Sequence, residues 1–418
     1  MTITIGGEVF QSWQSLLFDP WLDLGIILLV SMVAMSDFYR RFQSSIRNAP
    51  RLAPLEAAPT ELPKISVVIP AYNEAVNIEA CIAAVLANEL PTDSQLQLIV
   101  ADDASTDETL ALAKSATDED DRAVVFTVPP RPEGESWRGK NWACHCALNN
   151  AAEKATGEYV LFIDADVRLG EQAIVRSLCE AETYQSDLLS CAPAIVCGCF
   201  SEWLVQPLMA NLIAVGFDFE GVNDAQQVDI AIAAGPFMLF RRSAYDKIGG
   251  HGAVADNPVE DLALAALIKS SGLSLRYVLG LETATVRMYR SFGDLWEGWT
   301  KNYHLGGGRN ILLTLVSASA VLLIFSMPWV GFAASIAGTV SGALKGSLAV
   351  GLMMLSAVAV SLQTALRQES AKVIGQPLRY VWLGWLGGLL VSAIALTSIV
   401  KTETGWGWTW RGRSLVKE

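Results

Sequence analysis

Three stretches of this chain carry no charged residue: Ile311–Leu344, 34 residues, then Gly346–Leu366 and Tyr380–Val400, 21 residues each. About 20 apolar residues in a helix cross the hydrocarbon core of a bilayer. A core helix of a water-soluble domain would show polar positions every third or fourth residue, and these runs do not. They read as transmembrane spans. The longest allows two layouts, one long span or a hairpin broken near Pro328 with arms of about 16 residues, slightly short for a crossing. Residues 311–400 are therefore expected to hold three or four C-terminal transmembrane helices, ahead of an aromatic and basic tail at 401–418. Trp21–Met35 is a further apolar stretch, broken only by Asp23. No Lys or Arg precedes it and no small-residue cleavage pattern follows, so residues 1–36 read as one N-terminal membrane anchor. Arg40, Arg41, Arg47 and Arg51 crowd the segment behind it, while Glu8 and Asp19 are the charges ahead of it. The positive-inside bias then puts the N-terminus outside and the large middle region in the cytoplasm. The whole reads as an integral protein of a bacterial inner membrane or its equivalent.

Composition narrows the class further. Charged residues are 17% of the chain and the formal net charge is −13, which excludes a disordered chain and a basic nucleic-acid binder. All seven cysteines fall between Cys81 and Cys199, an odd number in a segment expected to be cytoplasmic, which argues against a disulfide framework. Cys144-His145-Cys146 and Cys197-Gly198-Cys199 lack the usual zinc spacing and read as ordinary buried thiols.

A Pro/Ala-rich stretch, Pro50–Pro63, closes a basic linker over residues 37–63, and a domain over 64–310 follows. Ile65–Ile69 is a β-branched run of the kind that makes a buried strand. In Ala75–Leu90 the apolar positions Ile78, Cys81, Ile82, Val85 and Leu86 mark one helix face. Leu96–Val100 and Val124–Val128 predict further strands, with a helix from about Glu108 capped by Ser105 or Asp107 between them. Asn141–Ala155 predicts a helix, and Tyr159–Ile163 a fourth strand. Strands alternating with helices imply an α/β domain with a parallel sheet, and such sheets bind ligands at the carboxyl ends of their strands. Three of these strands end in polar clusters: Asn73-Glu74, Asp102-Asp103 and Asp164-Ala165-Asp166. Three clusters at one sheet edge point to one site.

Asp164 and Asp166 offer the hard oxygen ligands that Mg²⁺ or Mn²⁺ takes, and such an ion bridges phosphate oxygens. Lys140 in Arg138-Gly139-Lys140-Asn141 opens a helix and brings a cation and N-terminal amides toward a diphosphate. Asp102-Asp103 can accept hydrogen bonds from a base or ribose. Glu260-Asp261 opens an apolar helix, where acids also serve as caps and dipole partners.

The order of the motifs is more specific than any one of them. Val67-Val68-Ile69-Pro70-Ala71-Tyr72-Asn73-Glu74, Asp102-Asp103-Ala104-Ser105-Thr106-Asp107, Gly139-Lys140-Asn141-Trp142, Phe162-Ile163-Asp164-Ala165-Asp166, Gly235-Pro236-Phe237 through His251, and Val259-Glu260-Asp261-Leu262 follow one another as in family 2 glycosyltransferases. The resemblance covers about Ile65 to Asn310. Val286–Asn302 looks like the membrane-bound carotenoid and hopanoid glycosyltransferases of bacteria, with ceramide glucosyltransferases as relatives. The resemblance implies a GT-A (Rossmann-like) catalytic domain. It implies that Ala71, Glu74, Asp102 and Asp103 contact the nucleoside of a UDP- or GDP-linked sugar, that Lys140 approaches the diphosphate, and that Asp164 and Asp166 hold a divalent metal, Mg²⁺ or Mn²⁺. It makes Asp261 the general base, with Glu260 beside it. The family usually carries Gln-x-x-Arg-Trp before its membrane helices. Here Leu295-Trp296-Glu297-Gly298-Trp299 stands in that place without the Gln and Arg, which argues against a processive polysaccharide synthase.

Transmembrane helices on such a domain imply a lipid acceptor, a hydroxylated carotenoid before a hopanoid or a ceramide. Trp296, Trp299 and His251 are the candidate acceptor-side residues, and His251 reads equally as a structural histidine. Trp203–Val215 is either core or an interfacial segment that admits a lipid. The Trp- and Arg-rich tail from Trp406 to Arg413 resembles interface segments that lie on the catalytic side in related enzymes. Three C-terminal crossings would instead put that tail outside. A catalytically silent nucleotide-sugar-binding scaffold is the remaining alternative, and the intact Asp164, Asp166 and Asp261 speak against it.

Overall fold

The computed structural model describes residues 19–52, 54–55, 59–91, 96–149 and 155–416. The central element is β1 (Ile65–Ala71), whose Ile65, Val67, Val68 and Ile69 are fully buried. A continuous β-branched run of this kind suits a strand covered on both faces. Beside it lie β2 (Leu96–Asp102), β3 (Ala123–Thr127) and β4 (Tyr159–Ile163), all parallel, in the order β3-β2-β1-β4. The sheet grows beyond β4. After β5 (Val167–Leu169), β6 (Leu188–Ala192) and β7 (Ala194–Ile195) come β8 (Phe237–Arg241), β9 (Leu275–Leu279) and β10 (Ala284–Val286). The seven-stranded order is β3-β2-β1-β4-β8-β6-β9, with β8 antiparallel to both β4 and β6. The sheet is thus mixed, not parallel throughout. Apolar patterning carries no information on the direction of such a strand, and Phe237–Arg241 is not among the strands expected from the sequence. β5, β10 and β7 form a small second sheet.

Helices follow the expected places: Ile78–Leu86 with shorter bounds, Thr109–Thr117, and Gly139–Asn149, which begins two residues before the expected Asn141. The Asp107 carboxylate accepts from the Thr109 amide at 3.0 Å, as a residue opening a helix should. Residues 150–154 of the expected Asn141–Ala155 helix lie outside the described residues, as do residues 1–18 of the expected anchor.

The chain divides into two compact units. The α/β unit holds Ser45–Gly198, Gly216–Arg290 and, from the far end of the chain, Thr409–Glu418. The helical unit holds Met1–Ser44, Cys199–Val215 and Ser291–Trp408.

Among the described residues, four helices are long and apolar enough to cross a membrane: Pro20–Asn48, Ile311–Val340, Gly346–Val373 and Val381–Thr404. The first runs past Met35 through Arg40, Arg41 and Arg47. The 34-residue uncharged run is no hairpin. It forms one helix with a π-helical turn at Leu322–Ser326, directly before Met327-Pro328. Proline lacks the N–H of a regular helix, and a widened turn absorbs that loss without reversing the chain. Trp203–Val215 lies on the helix Phe200–Gly216 and belongs to the helical unit, not to the core of the α/β unit. There Gly387 approaches that helix so closely that a Cβ would stand 2.7 Å from the Leu204 carbonyl, the close backbone packing that small residues allow.

Candidate active site

The carboxyl ends of β1, β2 and β4 bring the three polar clusters to one edge of the sheet. β1 ends at Ala71, 2% exposed, whose carbonyl accepts from the Asp103 amide at 2.8 Å. Glu74 follows in a turn and is nearly buried; its Oε2 accepts from Asn77 Nδ2 at 2.8 Å. β2 delivers Asp102 and Asp103, both buried. Asp102 Oδ1 has no hydrogen-bond partner. Asp103 faces two guanidinium groups, Arg131 at 2.9 Å and Arg413. Gly139 sits so near this pair that a Cβ there would lie 2.5 Å from Asp103 Oδ2.

β4 ends in Asp164-Ala165-Asp166. Lys140, at the start of the Gly139–Asn149 helix, ties this end to the next element: its Nζ is 2.6 Å from Asp164 Oδ1 and 2.7 Å from Glu260 Oε1. Burial works against the lysine's charge, but the two carboxylates outweigh it and hold its pKa well above the usual value. Asp261 is the second residue of the Glu260–Ser270 helix. Its Oδ2 accepts from the Gly235 amide at 3.0 Å and its Oδ1 from its neighbour Leu262 at 2.9 Å. Burial, then the charge of Glu260, pushes its pKa up to about 6. Asp166 is pushed up to about 8, by burial first and then by Asp164 and Glu74. Its Oδ1 is buried and has no partner.

The remaining sequence candidates are placed differently. His251 is fully buried; its Nδ1 shares a 2.7 Å hydrogen bond with the Tyr245 hydroxyl, and its ring packs on Phe162. Burial lowers its pKa to about 3, so it is a neutral ring inside the α/β unit. Trp296 and Trp299 belong to the helical unit. Trp299 is 9% exposed and donates to Gln206 Oε1 at 2.8 Å, pinning the Phe292–Gly306 helix to the Phe200–Gly216 helix.

Four residues at the site were not singled out from the sequence: Arg131, Gly235, Arg411 and Arg413. Gly235 leads the quoted Gly-Pro-Phe motif, and a Cβ there would lie 3.0 Å from Asp261 Oδ2. Arg411 Nη1 is 2.5 Å from Glu74 Oε1, and the Arg413 guanidinium lies 3.4 Å from the centre of the Tyr72 ring. Nothing local in sequence joins residue 74 to residue 411.

Residues 66–249 match the Glycosyl transferase family 2 model. Over that span the chain is similar to family 2 glycosyltransferases. The matched span includes the ends of β1, β2 and β4 and stops before Glu260-Asp261 and the tail. A curated relative, 4,4'-diaponeurosporenoate glycosyltransferase of Staphylococcus aureus strain MRSA252, is 29% identical over 69% of this chain and 72% of its own length. Its counterpart in strain USA300 is 29% identical over 58% of this chain, and the chain spans 62% of that protein's length. Among solved structures, a mannosyltransferase of Pyrobaculum calidifontis, in complex with GDP-Man and Mn²⁺, covers 92% of this chain and 99% of its own at 18% identity and a TM-score of 0.48. Glucosyl-3-phosphoglycerate synthase of Mycobacterium tuberculosis, with Mn²⁺ and UDP, covers 56% of this chain and 75% of its own at 22% identity and a TM-score of 0.33. Among the described residues the chain combines a mixed α/β sheet with one N-terminal and three C-terminal helices of membrane-crossing length.

Proposed function

We propose that this glycosyltransferase moves one sugar, with inversion, from a UDP- or GDP-linked donor to a hydroxyl of a membrane lipid, a carotenoid first of all. One observation carries the reading: a single lysine head group, Lys140, touches both Asp164 of the Asp-Ala-Asp pair and Glu260, the neighbour of Asp261. The pair that suits a diphosphate and the carboxylate that suits an acceptor proton therefore stand within one cation's reach.

The donor set fits a divalent ion. Asp166 carries a buried oxygen with no partner and a carboxyl whose ionisation its acidic neighbours oppose, and a dication relieves both. Asp164 and Asp166 would hold it, and bound there it would supply positive charge against the departing diphosphate. Glu74 and Asp103 accept hydrogen bonds from the nucleoside side. Lys140 orients Asp164 and Glu260 and adds positive charge where the leaving group gains negative charge. Asp261 takes the proton from the acceptor hydroxyl as its oxygen attacks the anomeric carbon. A carboxylate with pKa near 6 is ionised at neutral pH and is a better base than an ordinary aspartate. Attack opposite the leaving group inverts the anomeric centre.

The curated relatives' name describes a carboxylate acceptor. A carboxylate arrives without a proton and needs no base. The raised Asp261, held in place by Gly235, favours a hydroxyl here. Mass spectrometry of lipid extracts from a host with and without this chain tests the reading. New lipid glycosides are expected; glycosyl esters alone would replace the hydroxyl acceptor, and an extruded polymer would replace the reading altogether.

The tail adds a constraint on topology. Thr409–Glu418 belongs to the same unit as Ser45–Gly198, so an even number of crossings separates them. Three C-terminal helices have crossing length. Val381–Thr404 is the one we propose does not cross. Ser326 bonds to the Trp385 carbonyl and Ser392 to the Ala318 carbonyl, so this helix runs alongside only the first half of Ile311–Val340. The α/β unit and the tail would then both be cytoplasmic, reached through three crossings in all.

A further inference from the structure

Residues 409–414 form a hairpin with a two-residue turn. Thr409–Trp410 pairs with Arg413–Ser414, and Arg411 (φ 47°) with Gly412 (φ 78°) makes the turn. Both turn residues lie in the left-handed region, as a primed hairpin turn requires. For Gly412 that is free; for an arginine it is uncommon and carries a steric cost. The hairpin is tied to the α/β unit at three points: Arg138 donates to the Leu415 carbonyl at 3.0 Å, Arg413 donates to the Asp103 carbonyl at 2.9 Å, and Arg411 donates to the Tyr72 carbonyl at 2.8 Å. Its apex, Arg411, also pairs with Glu74 at 2.5 Å, and the charges of Asp166 and Asp164 act on it.

Charge bookkeeping shows what the site needs. Glu74, Asp164 and Asp166 stand together, and a diphosphate brings further negative charge. Lys140 is already shared between Asp164 and Glu260. Arg411 reaches the same acids from the opposite end of the chain, and its fork of donors suits phosphate oxygens.

We propose that Arg411 is a ligand of the donor diphosphate, carried into the site by the C-terminal hairpin. This rests on the reading that the site takes a nucleoside diphosphate sugar. When the donor binds, Arg411 exchanges part of its pairing with Glu74 for diphosphate oxygens, and the hairpin becomes part of the donor site.

The test compares nucleosides with their diphosphates on the full-length protein in detergent with Mn²⁺: uridine against UDP and guanosine against GDP. Losing one charged hydrogen-bond partner should weaken diphosphate binding about 10- to 100-fold in Arg411→Ala. Nucleoside affinity should stay unchanged. Arg411→Lys keeps a charge of similar reach, should unfold at the wild-type temperature, and should recover part of the diphosphate affinity. Equal weakening of nucleoside and diphosphate would make Arg411 a structural support and overturn the proposal. So would unchanged UDP or GDP binding in Arg411→Ala, or an Arg411→Lys variant that folds normally but binds no better than the alanine. A wild-type protein that binds neither UDP nor GDP would overturn the donor reading and this proposal together.

Discussion

The two units of this chain bury opposite things. In the α/β unit Glu74, Asp102, Asp103 and Glu260 are each under 10% exposed, while the helical unit leaves Ile26, Leu312 and Val340 63%, 72% and 83% exposed. Buried carboxylates cost free energy unless partners or ligands receive them, so a cluster of them at one sheet edge marks a place kept for chemistry. Exposed aliphatic side chains cost little in lipid, so an apolar outer surface marks the solvent and not a defect. The polar contacts differ in kind: Ser326 and Ser392 tie helices of the helical unit together through neutral hydroxyl-to-carbonyl bonds, whereas Lys140 and Arg411 join distant parts of the α/β unit through ion pairs.

The comparison breaks if acids in the α/β unit prove dispensable. Asp166→Ala is expected to reduce sugar transfer most, on the order of 10³-fold or more, since metal-assisted charge stabilisation is worth several kcal/mol. Chelation of the wild type should do the same. Because Asp166 Oδ1 is buried without a partner, the variant should melt at or above the wild-type temperature. Full activity in excess chelator would remove the metal from the account.

Asp261→Asn should cost about 10² to 10⁴ in turnover while donor binding persists, and Glu260→Gln should cost less. The wild-type rate should fall as pH drops below about 6, because Asp261 must be ionised to accept a proton. Its folded pKa lies above the ordinary 3.8, so the fold favours the neutral form, and this contribution is lost as pH rises from about 4 through about 6. The Asn variant should therefore be at least as stable as wild type at pH 7, yet far slower. A slow variant that is also unstable would mark Asp261 as a structural cap.

The smallest effect is expected in the helical unit. Trp299→Phe removes the buried indole N–H that donates to Gln206 Oε1 and should lower stability by about 1 kcal/mol. Donor affinity should not move. A large donor-binding loss from this change would erase the division of labour between the units. The topology is checked by tags: one after Glu418 and one in a loop of the α/β unit should be protected or digested together in intact cells.

Much of this was legible in the chain. Ile65–Ile69 reads as a buried strand because continuous β-branched residues suit a doubly covered sheet, and the acids after it read as a site because strands in such sheets end together. The uncharged runs read as helices of membrane-crossing length because length and apolarity suffice for that reading. Such signals are local: each rests on residues within one element. Whether Ile311–Leu344 turns back was decided by packing, as the helix takes up Pro328 in a π-helical turn and continues to Val340. The direction of β8 and the unit to which Trp203–Val215 belongs were settled the same way. So was the meeting of Arg411 with Glu74 and of Arg413 with Asp103. Periodicity and motif spacing carry no information about partners more than 300 positions apart; only the folded chain, through contacts that satisfy charge and hydrogen bonding, selects them.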